Sequence, residues 1–312
     1  MDAAVLSAYG TPQFGTFENP VQHPDTEIVE VSAAAISNFD LVLASGRYAA
    51  SPMQFPCVAG QDGVGRLANG QRVYFARPIS PYGSMAKQTL VASRELIAVP
   101  EGVDDAVAAA LGNDGLGAWL PLEWRAQLRP GETILVLGAT GMVGQLAVQA
   151  AKALGAGWVI AAGRNEERLQ RAKELGADAT VNLATSSDLP TAYREAAQGE
   201  IQVIVDYVWG PPAEAALHVA SDGGRLVQIG QAAAWQEIRL PALLLRSKSL
   251  TIFGYGNYDA SLETRAAAYQ HICHLAAQGR LTVPVERLPL SQVTQAWERQ
   301  RVGVRHRLVL VP

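Results

Sequence analysis

The sequence predicts an α/β fold in which a doubly wound parallel sheet is inserted between two parts of a β-rich domain. Two observations carry this. From about residue 114 to 253, apolar runs of strand length alternate with stretches of helical spacing. Residues 1 to about 113 instead hold short β-type segments punctuated by glycine and proline: EIVEVSAAAI, GVGRLANGQRVYFA, SMAKQTLVA and ELIAVP.

Taken in order, the first part reads as a partly open barrel or a strongly bent sheet. The alternating region opens at Thr133–Leu137, an apolar run bounded by glycine, as a buried parallel strand has. Met142–Leu154 spaces its apolar residues for a helix packed on a sheet, with Gly155 at its end. A second strand is expected at Trp158–Ala162 and a helix at Glu166–Leu175. Short strands follow at Ala179–Val181 and Val203–Asp206, then a helix after Pro211 and strands at Arg225–Ile229 and Ser249–Phe253. The remainder holds amphipathic helices at Leu262–Gln278 and Ser291–Gln300 and closes with the β run Arg307–Val311. The expected domains are therefore 1–113 with 254–312, and 114–253.

Composition narrows the class. The 312 residues suffice for two cores. With 49% hydrophobic and 17% charged residues, the chain has the make-up of a soluble globular protein. A net charge of −4 and the lack of any basic run argue against nucleic acid as a partner. No apolar stretch approaches the ~18 residues that cross a bilayer. The start, MDAAVLSAYG, has an acid and no basic leader, and Cys57 and Cys273 are the two cysteines. The expected compartment is the reducing cytoplasm.

The turn after the first parallel strand reads GATGMVG, with Gly138, Gly141 and Gly144. Glycines there let a backbone approach a pyrophosphate and aim a helix N-terminus at its charge. Small residues at such turns also serve packing alone. Twenty residues after Gly144, where an NAD site expects an acid for the ribose hydroxyl, stands Arg164. A carboxylate would repel a 2′-phosphate, whereas a guanidinium grips one through two charge-assisted bonds. The expected cofactor is NADP(H). The alternative is a solvated arginine opening the next helix. Arg168, one turn on, either helps or pairs with nearby glutamates.

Longer stretches carry a family resemblance: NFDLVLASGRY (38–48), PCVAGQDGVGRL (56–67), GLGAW (115–119), RPGETILVLGATGMVGQLAVQAAK (129–152), ELGADATVN (174–182) and RLVLVP (307–312). Over nearly its whole length the chain resembles the zinc-free, quinone oxidoreductase-like branch of the medium-chain dehydrogenase/reductase superfamily. The resemblance implies a GroES-like β-rich catalytic domain, a Rossmann NADP-binding domain and an active site in the cleft between them. Zinc alcohol dehydrogenases of the superfamily carry a catalytic cysteine and a His-Glu pair. Here those segments read ISNFD and AGQDG, with Gln61 and Asp62 in place of the pair, and the four-cysteine lobe is missing. A zinc Lewis acid needs three protein ligands, so no metal is expected. The implied reaction is hydride transfer to a quinone or an α,β-unsaturated carbonyl.

By resemblance, the cofactor residues are Gly138, Ala139, Thr140, Gly141, Met142 and Val143 in the loop, then Gly163 and Arg164. Val208 and Trp209 fall on the adenine side. Gly230, Gln231, Phe253, Gly254 and Tyr255 fall on the nicotinamide half, and Asn113 and Asp114 precede GLGAW at the cleft. The threonine common in GLTAW is Gly117 here. On the substrate side, relatives show Asn-x-x-Asp before SGxY, whereas this chain has Asn38-Phe-Asp40. Asn38 is taken as the asparagine, with Ser37 as the alternative occupant. Tyr48 falls where relatives place a cleft tyrosine, or is an ordinary loop aromatic. Asn38 and Tyr48 are the expected catalytic groups.

His271 and His274 in HICH are three apart on a helix, with no acid or third ligand nearby, and are read as exposed or packing residues. Cys57 is read as a small buried residue. Competing functions are an enoyl-thioester reductase, or an idle NADPH-binding sensor of the same fold. The strand SLTIFGY (249–255) at a sheet edge predicts a homodimer.

Overall fold

The computed structural model describes residues 1–47, 53–232 and 237–312. The chain divides into two compact units, Met1–Asp114 with Leu262–Pro312, and Gly115–Ser261.

The first unit begins with β1 (Asp2–Leu6), β2 (Gln13–Thr16) and β3 (Thr26–Ala35), then a short helix, α1 (Asn38–Ala44). There follow β4 (Cys57–Val58), β5 (Asp62–Arg66), β6 (Arg72–Ala76), β7 (Gln88–Ala92), β8 (Leu96–Ala98) and α2 (Asp105–Ala110). α3 (Asn113–Leu120) carries the chain into the second unit.

There the expected alternation appears: β9 (Thr133–Leu137), α4 (Met142–Ala153), β10 (Trp158–Gly163), α5 (Glu166–Glu174) and β11 (Ala179–Asn182). α6 (Leu189–Ala197), β12 (Ile201–Asp206), α7 (Pro211–Val219), β13 (Ala220–Gln228), α8 (Ala242–Ser247) and β14 (Thr251–Gly254) complete it. The chain then returns to the first unit as α9 (Leu262–Ala277), β15 (Val285–Pro289), α10 (Val293–Val302) and β16 (Arg307–Val311).

The second unit is a six-stranded parallel sheet in the order β11-β10-β9-β12-β13-β14. β9 is the first strand in sequence yet lies inside, flanked by β10 and β12. The strand order therefore reverses at the C-terminal end of β9, which is where such sheets bind ligands. Leu135, Leu137, Ile160 and Ile204 fill one face of its core, with Ala213 and Leu217 of α7 packed on them.

The first unit has a sheet in the order β15-β16-β3-β5-β6-β8, with β7 also paired to β3, and a three-stranded sheet β2-β1-β4. Its pairings are antiparallel except β15 with β16. Val29, Ile36, Phe75, Met85, Trp297 and Leu308 lie in its core. The fold is thus mixed α/β, a β-rich part and a doubly wound Rossmann part, as expected. Among the described residues no helix is long and apolar enough to cross a membrane.

Candidate functional site

In the doubly wound unit, the turn after β9 is built by exclusion of side chains. Gly138 has φ +90°, and a Cβ there would lie 3.1 Å from Val208 Cγ1. A Cβ on Gly144 would stand 2.2 Å from the Gly138 carbonyl oxygen, an approach only glycine permits. The amides of Gly138 and Ala139 both donate to the Ala162 carbonyl at 2.9 Å, which fixes the turn to β10. Gly141 is the N-cap of α4 and offers no side-chain bond, so the first-turn amides of Met142 and Val143 stay uncapped by it. Gly163 closes against Thr140, whose Cγ2 would be 2.3 Å from any Cβ.

β10 ends at Gly163, and Arg164 is exposed there, forming no ion pair among the described residues. Asn165 caps α5 by accepting from the Arg168 amide at 2.9 Å. That cap turns Arg168 back over the loop, with Nη1 3.4 Å from the Thr140 carbonyl. Glu166, in the first turn of α5, accepts from Asn182 Nδ2 at 2.7 Å. Two guanidinium groups thus stand at the end of β10 by the glycine turn.

Beyond β12, Asp206 Oδ1 accepts from the amides of Val208 and Trp209, each at 2.9 Å. This local bonding holds Trp209 at φ +60°, a left-handed conformation that a bulky residue rarely adopts. Burial pushes the Asp206 carboxyl up to about 6. Gly230 packs 3.0 Å (as a Cβ) from the Tyr207 carbonyl, and Gln231 is exposed beside it. Phe253 lies under the Arg125 guanidinium at 5.1 Å, and Gly254 accepts from Arg125 Nε at 3.1 Å. The Tyr255 hydroxyl is 2.9 Å from Asn257 Oδ1 and 3.2 Å from the Leu116 carbonyl.

A second polar group lies inside the β-rich unit. Asp40, Asp62, Asp114 and Arg307 are each at most 5% exposed. Ser37 and Asp40 form a capping box on α1: Asp40 Oδ2 accepts from the Ser37 amide at 2.7 Å and from Ser37 Oγ at 2.6 Å. Asp40 Oδ1 accepts from the Gln61 amide at 3.1 Å. Asp62 Oδ2 accepts from the Tyr74 hydroxyl at 3.1 Å and the Asn113 amide at 2.9 Å. Arg307 pairs with Asp114 and donates to the Ile36 carbonyl at 2.6 Å. A void lined by Ser37, Asp62, Asn113, Asp114 and Arg307 is too tight to hold water.

Three buried carboxyls therefore face one guanidinium, and full ionisation would leave uncompensated charge in the interior. Burial, then the charge of Asp40, pushes Asp62 up to about 7, against the bonds from Asn113 and Tyr74. Burial also raises Asp40, against the bonds from Ser37. Arg307 falls to about 10 by burial. Burial thus favours the protonated forms of Asp40 and Asp62.

The expected site residues divide accordingly. Gly138 through Val143, Gly163 and Arg164 gather at the end of β9 and β10, and Val208, Gly230 and Tyr255 at the ends of β12, β13 and β14. Asn113 and Asp114 join the acid cluster: the Asn113 backbone amide donates to Asp62, and the Asp114 carboxylate pairs with Arg307. Asn38 is exposed and accepts from Gln300 Nε2 at 2.8 Å, facing α10, while the neighbouring Ser37 faces the buried acids. The helical start at Asn38 explains this, because consecutive helix positions point about 100° apart. Tyr48 lies outside the described residues.

Sequence reasoning missed Tyr74 and Arg307 as site residues and read Asp62 only as a lost zinc ligand. Among the described residues, no group of three or more His, Cys, Asp or Glu is set to hold a metal ion. Cys57 and Cys273 are buried, with thiols pushed up by burial to about 11 and about 12. His271 and His274 are exposed on α9.

Residues 143–271 match the zinc-binding dehydrogenase family. The chain is 30% identical over 251 residues to quinone oxidoreductase-like protein 2 of Bos taurus, covering 77% of this chain and 70% of that one. It is 28% identical over 300 residues to a mycocerosic acid synthase-like polyketide synthase of Mycobacterium tuberculosis. That match takes in 92% of this chain but 14% of the synthase, so the chain spans a small part of such relatives. The quinone oxidoreductase of Escherichia coli, solved in complex with NADPH, superposes with a TM-score of 0.88 at 23% identity, all of each chain being covered. An α/β oxidoreductase architecture with a dinucleotide-type glycine turn defines the class. Within it, the chain belongs to the quinone oxidoreductase-like branch of the medium-chain dehydrogenase/reductase superfamily.

Proposed function

We propose that the protein is an NADPH-dependent reductase of a quinone or an α,β-unsaturated carbonyl that works without a metal. The observation that carries this reading is the glycine turn ahead of α4, with Arg164 and Arg168 where an NAD site would have an acid. The name of the bovine relative and the NADPH of the bacterial structure support it.

The residues present fit such a cofactor. A turn that Cβ atoms at Gly138 and Gly144 would fill leaves room for a pyrophosphate against the α4 amides. Arg164 and Arg168 hold the 2′-phosphate, Val208 and Trp209 the adenine side. Gly230, Gln231, Phe253, Gly254 and Tyr255 hold the nicotinamide half. When bound, NADPH supplies the hydride.

Reduction leaves negative charge on the acceptor oxygen, which a polar group must stabilise or protonate. We assign that work to Asn38, whose exposed side chain accepts from Gln300 through Oδ1 and has Nδ2 hydrogens to donate. The same reading takes the protein as a cytoplasmic homodimer.

A second reading, reduction of an enoyl thioester, is favoured by the matches to polyketide synthases. The deciding experiment follows NADPH oxidation over quinones, enones and enoyl thioesters, with and without a chelator. Turnover of quinones or enones that a chelator leaves unchanged is expected. Turnover confined to thioesters selects the second reading, and zinc-restored activity after chelation overturns the metal-free mechanism.

A further inference from the structure

Asp206 is the last residue of β12, beside Leu137 at the end of β9, and is 0% exposed. Its backbone carbonyl accepts from the amides of Ile229 at 2.9 Å and Gly230 at 3.2 Å, which sets the turn after β13. Its Oδ1 accepts from the amides of Val208 and Trp209, which sets the turn after β12. The next residue, Tyr207, donates its amide to the Leu137 carbonyl at 3.1 Å and accepts from the Ala232 amide at 3.0 Å. The ends of β9, β12 and β13 therefore meet at one dipeptide.

The turn after β12 is one that its own residues disfavour. Trp209 and Gly210 are both left-handed, at φ +60° and +77°, and only glycine takes that conformation freely. Gly210, the N-cap of α7, gives no side-chain bond. Among the described residues, Asp206 supplies the side-chain bonds that this turn receives. Its other oxygen, Oδ2, is buried and has no partner among the described residues. Burying a carboxyl with one oxygen unmet is costly, and strain and orphaned polar atoms collect at functional sites.

This turn carries the floor of the glycine loop. Val208 Cγ1 and Tyr207 Cβ lie 3.1 Å and 3.2 Å from where a Gly138 Cβ would be. A side chain that fixes Val208 fixes the surface against which that loop closes, without itself meeting a ligand.

Resting on the NADP(H) reading above, we propose that Asp206 is a positioning residue for the dinucleotide. By bonding the amides of Val208 and Trp209 it keeps the glycine loop in the shape that receives a pyrophosphate. The pyrophosphate is common to both nicotinamide cofactors, so Asp206 serves NADPH and NADH alike, whereas Arg164 serves NADPH alone.

The test titrates NADPH and NADH into the wild-type protein and into variants at 206 and 209, and measures kcat and KM for NADPH with a quinone acceptor. Asp206→Ala should bind both cofactors about tenfold more weakly, with KM raised to match and kcat within about twofold of wild type. Asp206→Leu fills the buried site without an acceptor and should do the same, which keeps the test open if the alanine variant does not fold. Asp206→Asn retains an acceptor oxygen and should stay within about threefold of wild type. Glycine at 209 adopts the left-handed conformation unaided, so Asp206→Ala should lose less affinity in a Trp209→Gly background. Unchanged affinities in the alanine and leucine variants, a loss confined to NADPH, a fall in kcat at constant KM, or equal losses in the two backgrounds overturns the assignment. A wild-type protein that binds neither cofactor overturns the NADP(H) reading itself, and this one with it.

Discussion

Tyr74 donates its phenolic hydrogen to Asp62 across 3.1 Å inside the β-rich unit, and neither side chain reaches solvent. The bond satisfies the carboxyl without neutralising it, and burial raises Asp62 from 3.8 to about 7. The fold therefore favours the protonated acid. The stability it contributes is complete below the ordinary carboxylate value and is lost as pH rises through about 7. Urea midpoints of the wild-type protein should fall between about pH 4 and about pH 7, and Asp62→Asn should flatten that fall. Equal slopes for the two proteins would rule out Asp62 as the titrating group.

Arg164 should decide between the two nicotinamide cofactors. Removing its charge-assisted bonds in Arg164→Ala should cost NADPH about 2 kcal/mol while leaving NADH binding unchanged. Arg168→Ala should cost less, since its Nη1 also contacts the Thr140 carbonyl. Calorimetric titration of both cofactors is the measurement. Equal wild-type affinities would remove the assignment.

Ser37 and Asn38 give opposite expectations. Asn38→Ala should lower turnover on enones while leaving NADPH affinity within a few-fold. Ser37→Ala, by loss of the cap on α1, should reduce stability by about 1 kcal/mol but keep turnover within a few-fold of wild type. Steady-state kinetics at saturating NADPH, with thermal melts alongside, separates them. A large effect on turnover at Ser37 with none at Asn38 would move the role to the serine.

β14 is an edge strand of the parallel sheet, and Thr251 on it is exposed. Unpaired edge amides invite a second copy, whereas an edge charge discourages one. Light scattering at micromolar concentration should give a dimer for the wild-type protein and a monomer for Thr251→Lys. A wild-type monomer would count against pairing at this strand.

What could be read in advance was local. β9, α4 and β10 follow from an apolar run, a glycine turn and helical spacing, and the strand at Thr133–Leu137 and the helix start at Met142 agree residue for residue. β13 starts at Ala220, ahead of the expected Arg225: Asp222-Gly223-Gly224 forms an irregularity with Gly223 at φ +68°, and regular pairing with β12 resumes at Arg225, where the expected strand begins. α6, which the sequence reading left out, is capped by Asp188, whose Oδ1 accepts from the Thr191 amide at 3.2 Å. The capping box of α1 was visible as Ser-x-x-Asp and would have turned Ser37, not Asn38, toward the acids. Arg307 lies 193 positions from Asp114, and no local pattern discloses a pair at that separation.

That last strand has a consequence for how the protein is made. β16 completes the pairing of β3 at Ala34 and Ala35, and Arg307 at its head neutralises Asp114. All strands of the second unit, by contrast, lie between residues 133 and 254. On the ribosome, the part synthesised in the middle has its full set of strands first. The part begun earliest waits, one strand edge bare and one acid unpaired, until residues 307 to 311 emerge. The inserted unit can thus complete its sheet ahead of the one that precedes it, which leaves the earlier part open to misassembly while residues 262 to 311 are being added.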